Sequence, residues 1–113
     1  MESRDLLKIA YKAIEDKKGE NIKMIDISQI SSIADYFIIT EGGNINQIQA
    51  IADEVEEQLE KAGASPKHIE GYRNASWILL DYTDIVVHIF AKEDRKFYDL
   101  ERIWADGIFL EKI

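Results

Sequence analysis

A chain of 113 residues with 46% hydrophobic content and a single proline has material for one compact domain with one core, and too little for two. Its formal net charge of −8 opposes nucleic acid phosphates, which excludes DNA as a partner, leaves RNA contact at most peripheral and favours a basic protein surface. The absence of cysteine removes disulfides, thiolate metal sites and cysteine nucleophiles, and no apolar run approaches bilayer-spanning length, so a soluble, cytoplasmic protein away from the membrane is expected.

Glu2, Arg4 and Asp5 open a helical pattern where a secretory segment would need an apolar stretch. Ser3 is placed to cap this first helix, whose apolar stripe is Leu6, Leu7, Ala10, Tyr11 and Ile14, with Lys17, Lys18 and Gly19 as its basic last turn and stop. Ile22 to Ile27 has the composition of a strand, and residues 28–32 form a polar connection. Tyr36 to Thr40 is a second apolar strand running into a turn at Gly42 and Gly43. Asn44, with Gln47 three residues on, resembles a capping box for a helix. Its stripe of Ile45, Ile48, Ile51, Ala52, Val55, Leu59 and Ala62 ends at Gly63, and its outer face carries Asp53, Glu56, Glu57 and Glu60.

His68 to Glu70 has room for a short strand. Trp77 to Leu80 and Ile85 to Phe90 are bulky apolar runs separated by Asp81, Tyr82, Thr83 and Asp84, which predicts a hairpin. Only His88 interrupts the second run, so that strand is expected inside the sheet with both faces covered. Phe97, Leu100 and Trp104 recur at helical spacing and predict one apolar stripe against the sheet, with Tyr98, Glu101 and Arg102 outward. Residues 107–110 are apolar and unassigned, open either to folding back on the body or to a contact between copies. The order αββαβββα implies a single α/β domain over residues 1–113, with a mixed sheet of about five strands flanked by helices and residues 105–113 as a C-terminal tail.

Two features invite a chemical reading. Asp81 and Asp84 are the only close carboxylate pair beside apolar strands, and such a pair holds magnesium if both aim at one site with phosphate oxygens completing the shell. Aspartates at a hairpin end more often satisfy turn backbone groups. The glycine turn at Gly42 precedes a helix N-terminus suited to an anion, but it lacks a Walker lysine or serine, and Glu41 would repel phosphate. His68 and His88 have no cysteine to complete a metal site, and a histidine within an apolar strand is usually hydrogen-bonded and buried. No cofactor and no bound metal are expected. Trp77 and Tyr98 lie in segments already supplied with apolar partners, which marks them as candidate interface anchors, and Glu70, Asp81 and Asp84 as an acidic rim about them. Leu79 shares the strand face of Trp77 and extends the apolar centre.

Glu70, Gly71, Trp77, Asp81, Asp84, Val86, Val87, His88 and Phe90, then Arg95, Phe97, Tyr98, Leu100, Glu101 and Trp104, form a spaced string that resembles the signature of the ribosomal silencing factor, or Iojap, family. Upstream, Ala34, Asp35, Tyr36 and Phe37, then Gly42, Gln47, Ala50, Ile51, Ala52 and Asp53 continue it, so that it spans roughly Leu6 to Trp104. Glu41, Asn44 and Asn46 depart from the family's threonine, serine and arginine, and Thr83 stands where a turn glycine is usual. The resemblance implies a nucleotidyltransferase-like α/β fold without enzymatic activity. It also implies binding to the large ribosomal subunit through its fourteenth protein, where the molecule blocks subunit joining sterically and represses translation under nutrient limitation. Trp77, Tyr98 and Leu79 would then anchor that partner within the rim of Glu70, Asp81 and Asp84. The alternatives are a nucleotidyl-transferring enzyme that uses Asp81 and Asp84 with magnesium, and an adaptor for large-subunit assembly. A homodimer is expected for the free chain.

Overall fold

The structure, a computed structural model, describes residues 2–112. Helix α1 (Ser3–Asp16) is followed by strands β1 (Glu20–Asp26) and β2 (Tyr36–Gly42), helix α2 (Ile45–Lys61), and strands β3 (His68–Glu70), β4 (Trp77–Asp81) and β5 (Ile85–Ala91). Two short helices, α3 (Lys92–Tyr98) and α4 (Leu100–Ile103), lead to a last strand, β6 (Ile108–Leu110). The six strands form one mixed sheet in the order β3-β4-β5-β2-β1-β6. Its centre is the parallel pair β2 and β5, both buried along nearly their whole length, because helices cover both of their faces.

Helices α1 and α2 cover one face. Leu7, Ala10 and Ile14 from α1 and Ile48, Ile51, Val55 and Leu59 from α2 pack on Ile38, Ile78, Leu80, Val87 and Ile89 of the strands. Asn44 caps α2 as expected, its Oδ1 accepting from the backbone N–H of Gln47 at 2.8 Å. The helix stops where Gly63, at φ +92°, lets its own N–H reach Glu60 and that of Ala64 reach Leu59.

Several sequence expectations are corrected. Glu2, not Ser3, is the N-cap of α1, and its backbone N–H donates to the Asp5 carboxylate at 3.2 Å. The apolar segment near the C-terminus is a sixth strand, as Ile108, Phe109 and Leu110 pair antiparallel with Asp26, Ile25 and Met24. The segment thus folds back on the body, one of the two outcomes its sequence left open, and Ile113 lies outside the described residues. The expected single stripe of Phe97, Leu100 and Trp104 is broken at Asp99, whose backbone is left-handed at φ 48°, ψ 56°. That break turns Phe97 outward to 81% exposure, while Leu100 is buried and Trp104 packs on Phe37 with ring centroids 5.1 Å apart.

Candidate functional site: an aromatic face beside an acidic edge

The second face of the sheet is covered only in part. Residues paired in register point to the same side, so Glu70, Leu79, His88 and Ile39 form one row across β3, β4, β5 and β2. Trp77, Phe90 and Glu41 form the next row. Helix α3 sits over β5 and β2. Beyond its edge, Trp77 and Leu79 on β4 are half-buried and Glu70 on β3 is exposed. The alternation along β4, with Ile78 and Leu80 buried against the helices and Trp77, Leu79 and Asp81 on the open side, is the period-two pattern of a strand covered on one face.

Trp77 and Tyr98, from different elements, meet with ring centroids 4.7 Å apart. Trp77 also stacks on Phe90 at 5.0 Å, and its indole Nε1–H donates to His88 Nδ1 at 3.1 Å. Tyr98 is 42% exposed and Phe97 stands edge-on beside it at 5.1 Å. Next to this cluster, Glu70, Gly71, Trp77 and Leu79 bound an open depression of about 310 Å³. Gly71 is indispensable to its shape. It has φ +78°, and a Cβ there would overlap the Trp77 carbonyl. The structure thus brings Trp77, Tyr98, Leu79 and Glu70 together.

Asp81 lies on the same face two residues beyond Leu79, where its Oδ1 accepts from the Thr83 backbone N–H at 2.8 Å. Asp84 falls outside the group. Its carbonyl accepts from the backbone of Asp35 at 2.8 Å, and with Thr83 it borders a separate depression lined by residues 28–35. Asp81 therefore serves the turn through its carboxylate, while Asp84 joins the segment leading into β2 through its backbone carbonyl. Among the described residues no group of three or more His, Asp or Glu side chains is placed to hold a metal ion.

The loop before α2 is likewise occupied by its own side chains. Gln47 Oε1 accepts from the Gly43 N–H at 2.7 Å, in place of the Asn44 N–H of a standard capping box, and Gln47 Nε2 donates to the Lys18 carbonyl at 3.0 Å. Glu41 is not a free charge at the start of this helix, as its place in the sequence implied. It is buried, with Oε1 at 3.1 Å from Arg95 Nη1 and Oε2 accepting from Asn21 Nδ2 at 3.1 Å. Arg95 Nη2 continues to Glu101 at 3.0 Å. This network fastens α3 to the sheet and so sets the height at which Tyr98 stands.

Phe97 and Arg95 were the residues whose roles sequence patterning missed, whereas His88 is buried and hydrogen-bonded as expected. Asp99, a residue type that tolerates the left-handed conformation, was the one local signal that the helix breaks between Tyr98 and Leu100.

The chain is thus a small single-domain α/β protein with a partly covered aromatic sheet face bordered by carboxylates. The family described as "Ribosomal silencing factor during starvation" matches residues 1–112. A ribosomal silencing factor of Bacillus subtilis strain 168 is 43% identical over 107 residues, covering 95% of this chain and 91% of that protein. Its counterpart in Halalkalibacterium halodurans is 40% identical, with 98% and 95% covered. A crystal structure of a Chromobacterium violaceum protein superposes with a TM-score of 0.91 at 34% identity, covering 93% of this chain and 88% of that one. The chain belongs to the ribosomal silencing factor family.

Proposed function

We propose that the chain binds the large ribosomal subunit through the basic surface of its fourteenth protein and, by occupying that surface, keeps the small subunit from joining, so that translation is repressed in the cytoplasm when nutrients are scarce. The observation that carries this reading is the contact of Trp77 with Tyr98 on an incompletely covered face. Rigid aromatic pairs of this kind supply the central anchors of protein interfaces. Leu79 widens the apolar centre, and Phe97 adds a ring that is free to be covered. Glu70 and Asp81 border it on the strand side and, with the net charge of −8, favour approach to a basic surface. Asp84 acts only at longer range. The mechanism asks for occupancy and no chemistry, in keeping with Asp81 being engaged in its own turn.

Co-sedimentation with isolated large subunits tests the reading. Trp77→Ala and Tyr98→Ala should each weaken binding by about 2 kcal/mol or more. Both variants should stay folded, because the two rings are partly exposed in the free protein. The association rate should fall as salt rises, since steering between opposite charges is screened. Variants that remain folded, bind normally and still block joining would remove this face from the mechanism.

A further inference from the structure

We propose that His88 is a positioning residue for docking: it accepts the Trp77 indole N–H and thereby holds that ring in its docking orientation before any partner arrives. The inference rests on the reading of Trp77 as an anchor and adds what orients it. His88 lies among Val86, Val87, Ile89 and Phe90 in a strand buried from Ile85 to Phe90, and is itself only 4% exposed. An aliphatic side chain would suit such a place better, because the ring's second nitrogen, Nε2, is buried without a hydrogen-bond partner among the described residues. What the imidazole supplies in return is one acceptor, at 3.1 Å from the indole nitrogen.

The register explains the geometry. Trp77 pairs with Phe90 and Leu79 with His88, so the bond runs diagonally across one face of the hairpin while the indole lies over the Phe90 ring, 27° from parallel. Because Nδ1 accepts, the proton of the neutral ring sits on Nε2. Burial pulls the His88 pKa down to about 3, so the ring stays neutral and the acceptor stays available near neutral pH. Behind it Phe37 meets the imidazole edge-on at 4.7 Å and is itself wedged by Trp104.

A half-exposed tryptophan ordinarily satisfies its N–H with water, and a partner that covers it must then offer an acceptor or leave the donor stranded. Here the N–H is turned inward and satisfied, so the ring offers its apolar surface, and less orientational freedom is lost on binding. A partner with no acceptor at that point can still dock.

The test uses the full chain with His88→Leu, His88→Gln and Trp77→Phe, the last also identifying the Trp77 indole resonance by its loss. His88→Leu should stay folded, exchange its indole N–H with solvent about tenfold faster, and bind large subunits about tenfold more weakly. In His88→Gln an amide oxygen can take over the acceptor role, and both readouts should recover in large part. In the Trp77→Phe background, which has no N–H to orient, His88→Leu should change binding no further. Should the leucine variant not fold, His88→Phe takes its place under the same expectations. Unchanged indole exchange, unchanged binding, or an equal loss in the Trp77→Phe background would each overturn the role. Trp77→Ala separates the two levels: if it binds normally, the docking face and its positioning residue both fall. If it loses binding while His88→Leu binds normally, only the positioning role falls.

Discussion

The Arg95 guanidinium reaches the Glu41 carboxylate at 3.1 Å with 7% and 11% of the two side chains exposed, and this buried pair joins α3 to the middle of the sheet. Removing Arg95 alone leaves the Glu41 carboxylate uncompensated in a dry place, whereas removing both leaves no deeply buried charge, and only the more exposed Glu101 and Asn21 lose a partner. Arg95→Met should therefore lower stability by about 3 kcal/mol or more, and the double variant Glu41→Leu with Arg95→Met should recover most of it. Urea midpoints on the single and double variants decide this. A double variant as unstable as the single one would show that packing of the arginine stem, not charge pairing, holds the helix.

At the hairpin turn, Thr83 adopts φ 70°, a conformation that a β-branched side chain resists. Thr83→Gly relieves that strain but gives the unfolded chain more freedom, and the two effects oppose each other. The strain relief is the larger, so a net gain of up to about 1 kcal/mol is expected. A lower melting temperature in the glycine variant would mean that contacts of the threonine side chain outweigh its backbone strain.

Gly71 presents the opposite case. With φ +78° and the Trp77 carbonyl where a Cβ would go, Gly71→Ala should cost about 2 kcal/mol or more and disturb the placement of Trp77. Tryptophan fluorescence should shift together with the loss of stability. A variant of native stability and native spectrum would show that the 71–77 connection can relax without moving the ring.

His88 ties stability to acid. The unfolded residue titrates near 6.5 and the folded one near 3, so between those values the unfolded chain binds the extra proton. Stability is complete above pH 6.5 and falls as the pH drops below it, by up to about 1.4 kcal/mol per pH unit from this group. His88→Leu should flatten the slope between pH 6.5 and 5, while the carboxylate contributions common to both proteins cancel. Parallel pH profiles for the two chains would refute the attribution.

The helices and the inner strands were legible in the sequence because burial of one helix stripe, or of a whole central strand, leaves a repeating apolar pattern. Ile48, Ile51, Val55 and Leu59 in α2 and the run from Ile85 to Phe90 in β5, interrupted only by His88, occupy the places their spacing predicts. The short edge strand β6 was not legible, since its three residues are too few for periodicity and its pairing is with distant β1. Phe97 was misplaced because a spacing rule presumes one continuous helix, and a single left-handed residue at Asp99 resets the phase. Arg95 and Glu41 look like surface charges until the fold brings them together from opposite ends of α2, β3 and the hairpin. The neighbourhood of Trp77 and Tyr98, by contrast, follows from a helix returning across the sheet that carries the hairpin.

The parallel pairing of β2 with β5 also governs the order in which the chain becomes complete. Residues Tyr36–Gly42 are apolar along most of their length, yet their partner on one side is Ile85–Ala91, which a ribosome adds only after α2, β3 and β4. During synthesis, the early half of the molecule therefore carries a strand with one hydrogen-bonding edge open and one face still bare, and it closes only when the later hairpin arrives. Folding of the whole sheet is held back to the release of its last third, and premature exposure of β2 is the point at which a nascent chain is most prone to pair with the wrong neighbour.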